Sequence, residues 1–161
     1  MSKLTLKIFV HEGGKAPQPG KPGDAGLDCF ACLPADSRQF AMMVNQFELA
    51  KVPLGFSYSF SVGKEISHDY WLDIRNRSGV GTKSGFVTVA EVGDANYRGV
   101  IHYCAVKTLP GAYPIEHGAK ICQAIINPFV DPAKVDIVVV GSLEELGQSA
   151  RGEAGFGSSG T

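Results

Sequence analysis

Arg77-Ser78-Gly79 offers a guanidinium, a hydroxyl and an unshielded backbone N–H at the expected start of a short helix, a combination suited to phosphate oxygens. An ordinary helix cap accounts for the same three residues. A second anion-binding combination lies near the C-terminus, where Arg151-Gly152-Glu153-Ala154-Gly155-Phe156-Gly157-Ser158-Ser159-Gly160 sets one Arg and two hydroxyls on a glycine-rich backbone. Its N–H groups can wrap an anion, and Phe156 is available to stack on a flat ring. Between them, Glu91-Val92-Gly93-Asp94-Ala95-Asn96-Tyr97-Arg98-Gly99 has the Gly, Asp and Asn of a hairpin and brings the Tyr97 ring close to Asp94. A turn explains Asp94 alone, and core packing explains Tyr97 alone. Ala25-Gly26-Leu27-Asp28 sets an acid just after a glycine at a strand entrance, which a turn also explains. His117-Gly118-Ala119-Lys120-Ile121-Cys122-Gln123 leads from a turn into a strand, with Gln123 on the face of Ile121 and Ile125, where an amide needs a partner.

Clusters this far apart in the chain need a rigid frame to meet, and the rest of the sequence reads as strands. Twenty glycines and nine prolines cut it into short runs, none with helical spacing sustained over three turns. Leu4, Leu6, Ile8 and Val10 share one face of an alternating segment, and Tyr70, Leu72 and Ile74 do so against Trp71, Asp73 and Arg75. Residues 100–107, 121–126 and 135–140 are apolar, partly β-branched runs bounded by Gly, Pro or Asp. About eight to ten strands are expected in all, which predicts an all-β jelly roll or distorted barrel over residues 1–146. Two short helical turns interrupt it, one over 78–83 and one over 142–146, the latter with a capping-box spacing and Gly147 as its stop. Residues 147–161 contain five glycines in fifteen and one large apolar side chain, Phe156, so this segment is expected to be an arm that lands on another surface.

A chain of 161 residues, 44% hydrophobic and 19% charged, is long enough to bury one sizeable core without disulfides or a structural metal. The net charge of −1 gives no support to a nucleic-acid groove or an anionic-membrane surface, and no apolar run approaches the roughly 18 residues that span a bilayer. Residues 1–7 alternate instead of forming a signal-peptide block, so a reducing, cytoplasmic setting is expected and the four cysteines are read as thiols. Cys29-x-x-Cys32 has a zinc-like spacing but no second pair, and the four histidines form no local ligand motif.

The five clusters occur in the order of the five motifs of the homotrimeric dUTPase family, which the chain resembles from residue 25 to residue 160. The matches are Ala-Gly-x-Asp at 25–28, Arg-Ser-Gly at 77–79, Asp-x-x-Tyr-Arg-Gly at 94–99, Ile-x-Gln at 121–123 and Arg-Gly-x-x-Gly-Phe-Gly-Ser at 151–158. The resemblance implies a jelly-roll homotrimer with shared active sites, each closed by the C-terminal arm of a neighbouring chain. It implies Mg²⁺-dependent hydrolysis of dUTP to dUMP and pyrophosphate, a reaction that depends on positioning and charge neutralisation. By the same resemblance, Asp94 orients and deprotonates the water that attacks the α-phosphorus. Asp28 reaches the metal through water, the ion being held mainly by the substrate phosphates. Tyr97 packs under deoxyribose and leaves no room for a 2′-hydroxyl. Arg77, Ser78, Gly79 and Gln123 contact phosphate, Arg151, Ser158 and Ser159 hold the γ-phosphate, and Phe156, with Gly157 beside it, covers the uracil.

Several positions depart from the family pattern. Glu91 and Gly93 stand where a Gly and an Ile or Leu usually precede the hairpin aspartate, a change expected to reshape the pyrimidine pocket. Asn76 replaces a common Pro, Ala119 an acid and Ala154 a Gly. The stretch between Asp28 and Arg77 is longer than usual, with 62–70 as the inserted loop and a possible protein-contact surface. A dCTP deaminase shares the fold but needs a glutamate on the strand after the hairpin, where residues 100–106 have none. A nucleotide-binding regulatory protein on the same fold is the third reading.

Overall fold

A computed structural model describes residues 3–149. Arg151, Phe156, Gly157, Ser158 and Ser159, and with them most of the expected arm, lie outside the described residues. Contacts divide the chain into Met1–Val130 and Asp131–Thr161.

The first unit is built from thirteen strands: β1 Leu4–Val10, β2 Gln18–Pro19, β3 Gly26–Phe30, β4 Met42–Val44, β5 Leu49–Pro53, β6 Phe56–Val62, β7 Glu65–Ser67, β8 Tyr70–Asn76, β9 Phe86–Ala90, β10 Val92–Gly93, β11 His102–Lys107, β12 Tyr113–Ile115 and β13 Lys120–Pro128. The count exceeds the eight to ten expected because β2, β4, β7, β10 and β12 are pieces of two or three residues, too short to show alternation. A five-stranded antiparallel sheet has the order β10-β8-β13-β3-β2. Two three-stranded sheets, β1-β6-β7 and β5-β11-β9, and the β12-β4 pair complete the all-β frame.

Period-two alternation explains the packing. Along β11, Tyr103, Ala105 and Lys107 point in while His102, Cys104 and Val106 are only partly covered, and β5 buries Ala50 and Val52 in the same way. These side chains join Leu54, Phe56, Phe60, Leu72 and Ile115 in one core. Lys107 can be buried there because its ammonium donates to the carbonyls of Leu109 and Pro110. Leu4, Leu6 and Ile8 pack against the core as expected, whereas Val10 at the strand end is exposed. On β8, Leu72 and Ile74 are inside, but Asp73 of the opposite face is buried too, paired to Arg75 at 2.8 Å.

The first expected helical turn is α1, Ser78–Ser84, ended by Gly85 in the left-handed region at φ 71°. The stretch 62–70, expected as an inserted loop, contains the tip and return strand of a β-hairpin: β7 returns along β6 through a Gly63-Lys64 turn with Gly63 at φ 61°. All four cysteines are free thiols, and no helix among the described residues is long and apolar enough to cross a membrane.

In the second unit, 3-10 turns form at Pro132–Lys134 and Glu144–Leu146, the latter the second expected helical turn, with Gly147 after it. The strand expected over 135–140 does not form. A β-branched run is strand-prone, but a strand exists only where a neighbour completes its ladder.

Candidate active site

Three adjacent strands assemble the first group of site residues. Gln123 on β13 lies opposite Asp28 of β3 on one side and Arg75 of β8 on the other. Arg77, extended at φ −71° and ψ 145°, is the N-cap of α1, so its guanidinium swings back over this sheet end. The Asp28 carboxylate is divided between two cations: Arg77 Nε reaches Oδ1 at 2.9 Å and Lys120 Nζ reaches Oδ2 at 2.9 Å. The Asp28 side chain is only 14% exposed, so these contacts offset its desolvation. Gln123 lies flat across β3, and a Cβ on Gly26 would fall 2.6 Å from its Oε1. Its Nε2 donates to the Asn76 carbonyl at 2.9 Å.

Asn76, where the resemblance expects Pro, ties this group to the core. Its Nδ2 donates to the Phe86 carbonyl at 2.7 Å and its Oδ1 accepts the Tyr103 hydroxyl at 2.6 Å. A proline could make neither bond. Ser78 and Gly79 open α1 on the exposed side, and a Cβ at Gly79 would meet nothing within 4 Å. The turn is therefore accessible to an anion. Lys15 and Lys120 place their ammonium groups 5.3 and 5.9 Å from the Phe30 ring centre, adding positive charge beside Asp28.

The second group is the hairpin after β10. Asp94 accepts the Tyr97 N–H at its carbonyl, 3.0 Å, which closes the turn. The Tyr97 ring folds over Gly99, where a Cβ would run into its hydroxyl, and remains 46% exposed. Side chains hold almost every carbonyl of the loop. The Tyr58 hydroxyl donates to Gly93 O at 2.6 Å and Asp94 O at 2.8 Å, and Arg98 Nη1 donates to Ala95 O and Tyr97 O at 2.9 Å each. Ser57 donates to Gly99 O at 2.9 Å. Its one proton is thereby committed, so the His11 Nε2 that lies 2.8 Å from the same hydroxyl is the donor of that pair. The Asp94 carboxylate, in contrast, is exposed and makes no hydrogen bond or ion pair with the described residues.

Asp94, Tyr97, Gly93, Val92, Ile74 and His102 line a cleft of about 330 Å³. Glu91, expected to alter this pocket, turns away from it. Its carboxylate takes Arg75 Nη1 at 3.1 Å and the Thr88 hydroxyl. Gly93 has its own reason for lacking a side chain, since a Cβ would lie 3.1 Å from Leu72 O and 3.2 Å from the Tyr58 hydroxyl.

The two groups do not meet within one chain. Asp28 is level with Arg75 two strands from β8, whereas Asp94 is one step beyond the Gly93–Leu72 pair on the other side of β8. Strand spacing and rise put them roughly 20 Å apart. Of the residues singled out in the sequence, the structure brings Asp28, Arg77 and Gln123 together, with Ser78 and Gly79 at the start of α1, and sets Asp94 beside Tyr97; Tyr58 and the part of Lys120 were not singled out, and Arg98 only as part of its motif. Lys120 adjoined a recognised motif; Tyr58 carried no local signal.

Comparisons with known proteins give the family. A dUTPase family model matches residues 12–160. The deoxyuridine 5′-triphosphate nucleotidohydrolase of Clostridium tetani is 34% identical over 99% of both chains. That of Rhizobium meliloti is 34% identical over 98% of this chain and 91% of its own. Among solved structures, the Staphylococcus bacteriophage 80alpha dUTPase with dUPNHPP is similar with a TM-score of 0.76 and 25% identity, covering 98% of this chain and 99% of the phage protein.

Proposed function

The chain belongs to the dUTPase family, and on that premise we propose that it hydrolyses dUTP to dUMP and pyrophosphate with Asp94 as the general base. The observation that carries this reading is the Asp94 carboxylate, unpaired among the described residues, beside Tyr97 in the hairpin cleft. A carboxylate without a cation or donor can take a proton from water, whereas one shared by two cations cannot do so without losing both pairs. Water attacks the α-phosphorus in line, its proton passes to Asp94, and the bond from the α-phosphorus to the bridging oxygen breaks to release pyrophosphate.

Arg77, the Ser78-Gly79 turn and Gln123 bind phosphate oxygens, a role supported by their convergence around Asp28 and by the open face of Gly79. Tyr97 supports the deoxyribose. The absence of a side chain on Gly99 lets its ring fold over the backbone there, where it would lie under the sugar and leave no room for a 2′-hydroxyl. Arg151, Ser158 and Ser159 then take the γ-phosphate while Phe156 and Gly157 cover the base.

Among the described residues no three His, Cys, Asp or Glu side chains are grouped to hold a metal ion. Asp28 suits a water-mediated contact instead: each oxygen gives one lone pair to its cation and keeps one for a water of a hydrated ion. Mg²⁺ carried by the triphosphate supplies neutralisation of its oxyanion charge when bound.

The reading includes a homotrimer with shared sites. It is supported by the roughly 20 Å between the two groups, by the exposed Leu49, Val87, Val89 and Val92, and by the apolar run 135–140 that forms no strand. Turnover of dUTP, dCTP, dTTP and UTP by the wild type and by Asp94→Asn tests the proposal. dUTP should be the preferred substrate and the variant should lose about 10²–10⁴-fold in kcat. Ammonia release from dCTP, or an unaffected variant, contradicts it.

A further inference from the structure

Tyr58 stands outside the five motifs, yet its hydroxyl is the contact nearest to Asp94. We propose that Tyr58 is the positioning residue for Asp94, and that it forms a matched pair with Gly93 in which the phenol occupies the space a side chain at 93 would fill. The proposal rests on Asp94 being the base. It adds a residue that fixes where that base stands.

The placement begins with alternation on β6, where Phe56, Tyr58 and Phe60 face the core. Tyr58 is 3% exposed, and its ring packs edge-on against Phe60 at 5.4 Å, so the phenol is rigid. From this anchor the hydroxyl spans 35 residues of sequence to reach Gly93 O at 2.6 Å and Asp94 O at 2.8 Å. Both acceptors share one proton, and both flank the Cα that carries the reactive carboxylate.

Gly93 makes this approach possible. A Cβ there would sit 3.2 Å from the hydroxyl and 3.1 Å from Leu72 O, so any larger residue must displace either the phenol or β8. Where the resemblance expects Ile or Leu immediately before the aspartate, Gly93 leaves the place that the Tyr58 hydroxyl approaches. Asp94 depends on the arrangement because β10 is only two residues long, the other side-chain ties of the loop, from Arg98 and Ser57, bind carbonyls after it, and the one further bond at Asp94, from the Tyr97 N–H, comes from within the loop and does not anchor it to the core. Burial, aided by the charge of Asp94, pushes the Tyr58 phenol up to about 12, so it remains a donor throughout the neutral range.

The test uses the full-length protein and compares wild type, Tyr58→Phe, Gly93→Ala and the double variant by steady-state turnover of dUTP and by amide hydrogen exchange. Tyr58→Phe keeps the ring and removes one atom. Its kcat should fall roughly 10–100-fold, the scale of a misplaced reacting group, with KM within about twofold because the Arg77–Asp28–Gln123 group is untouched. Exchange should accelerate at residues 93–97 and not across the core strands. Gly93→Ala should cost less in the Tyr58→Phe background than in wild type, since the hydroxyl it meets is gone. Wild-type kcat in Tyr58→Phe, exchange that accelerates everywhere or nowhere, or strict additivity of the two substitutions overturns the pairing. If wild type itself fails to hydrolyse dUTP, the enzymatic reading fails, and exchange at 93–97 still decides whether Tyr58 holds the loop.

Discussion

Asp28 and Asp94 are the same side chain in opposite electrostatic settings, and that contrast separates their work. Asp28 is mostly covered and held between Arg77 and Lys120, so removing either cation would leave a buried charge underpaired. Asp94 has a secured backbone and an unsecured carboxylate. A titration at His117 checks the surroundings of the first group. Partial burial, reinforced by Arg38 and Lys15, lowers its pKa below the ordinary 6.5, and neutral Nδ1 accepts the Leu33 N–H at 3.2 Å. Because the folded value is depressed, the stabilisation from this bond is complete above pH 6.5 and is lost as the pH falls through the folded value. An NMR titration of His117 should give a midpoint below 6.5, with the Leu33 amide signal moving in step; a midpoint at or above 6.5 contradicts the assignment. Residues whose chemistry is carried by their own type, such as Arg77 and Gln123, were legible in the sequence. Tyr58 and Lys120 were not, because their partners lie 35 and 92 residues away and only strand register brings them together.

Register is likewise what the elements contribute. β3, β13 and β8 set Asp28, Gln123 and Arg77 side by side, and Gly26 leaves the gap in which the Gln123 amide lies. Gly26→Ala should force that amide aside and raise the KM for dUTP roughly tenfold, the scale of one lost hydrogen bond to a charged group. Steady-state kinetics beside Gln123→Ala provides the check: the two variants should resemble each other, and a wild-type KM in Gly26→Ala contradicts the packing. The long alternating strands β1, β8, β11 and β13 could be read from the chain directly. The short pieces could not, since two or three residues carry no period, and 135–140 shows the converse: strand-forming residues without a neighbouring strand to complete the ladder.

For the whole molecule, the decisive feature is that one chain holds the Asp28 group and the Asp94 hairpin roughly 20 Å apart. On the proposed homotrimer, closed cyclic symmetry would bring them together, because a neighbour's hairpin can face the proposed phosphate-binding group and every copy repeats the contact. No reading of a single sequence shows which halves will face each other across an interface; the exposed valines of β9 and β10 indicate only that a face remains to be covered. The most direct measurement mixes two inactive variants, Asp94→Asn and Arg77→Ala, by unfolding and refolding them together. If sites are shared, random assembly restores an intact Asp94 opposite an intact Arg77 in roughly a quarter of them, and dUTP turnover should rise to about that fraction of wild type. Activity no greater than that of the separately refolded parents would mean that each chain builds its site alone, and would contradict the account.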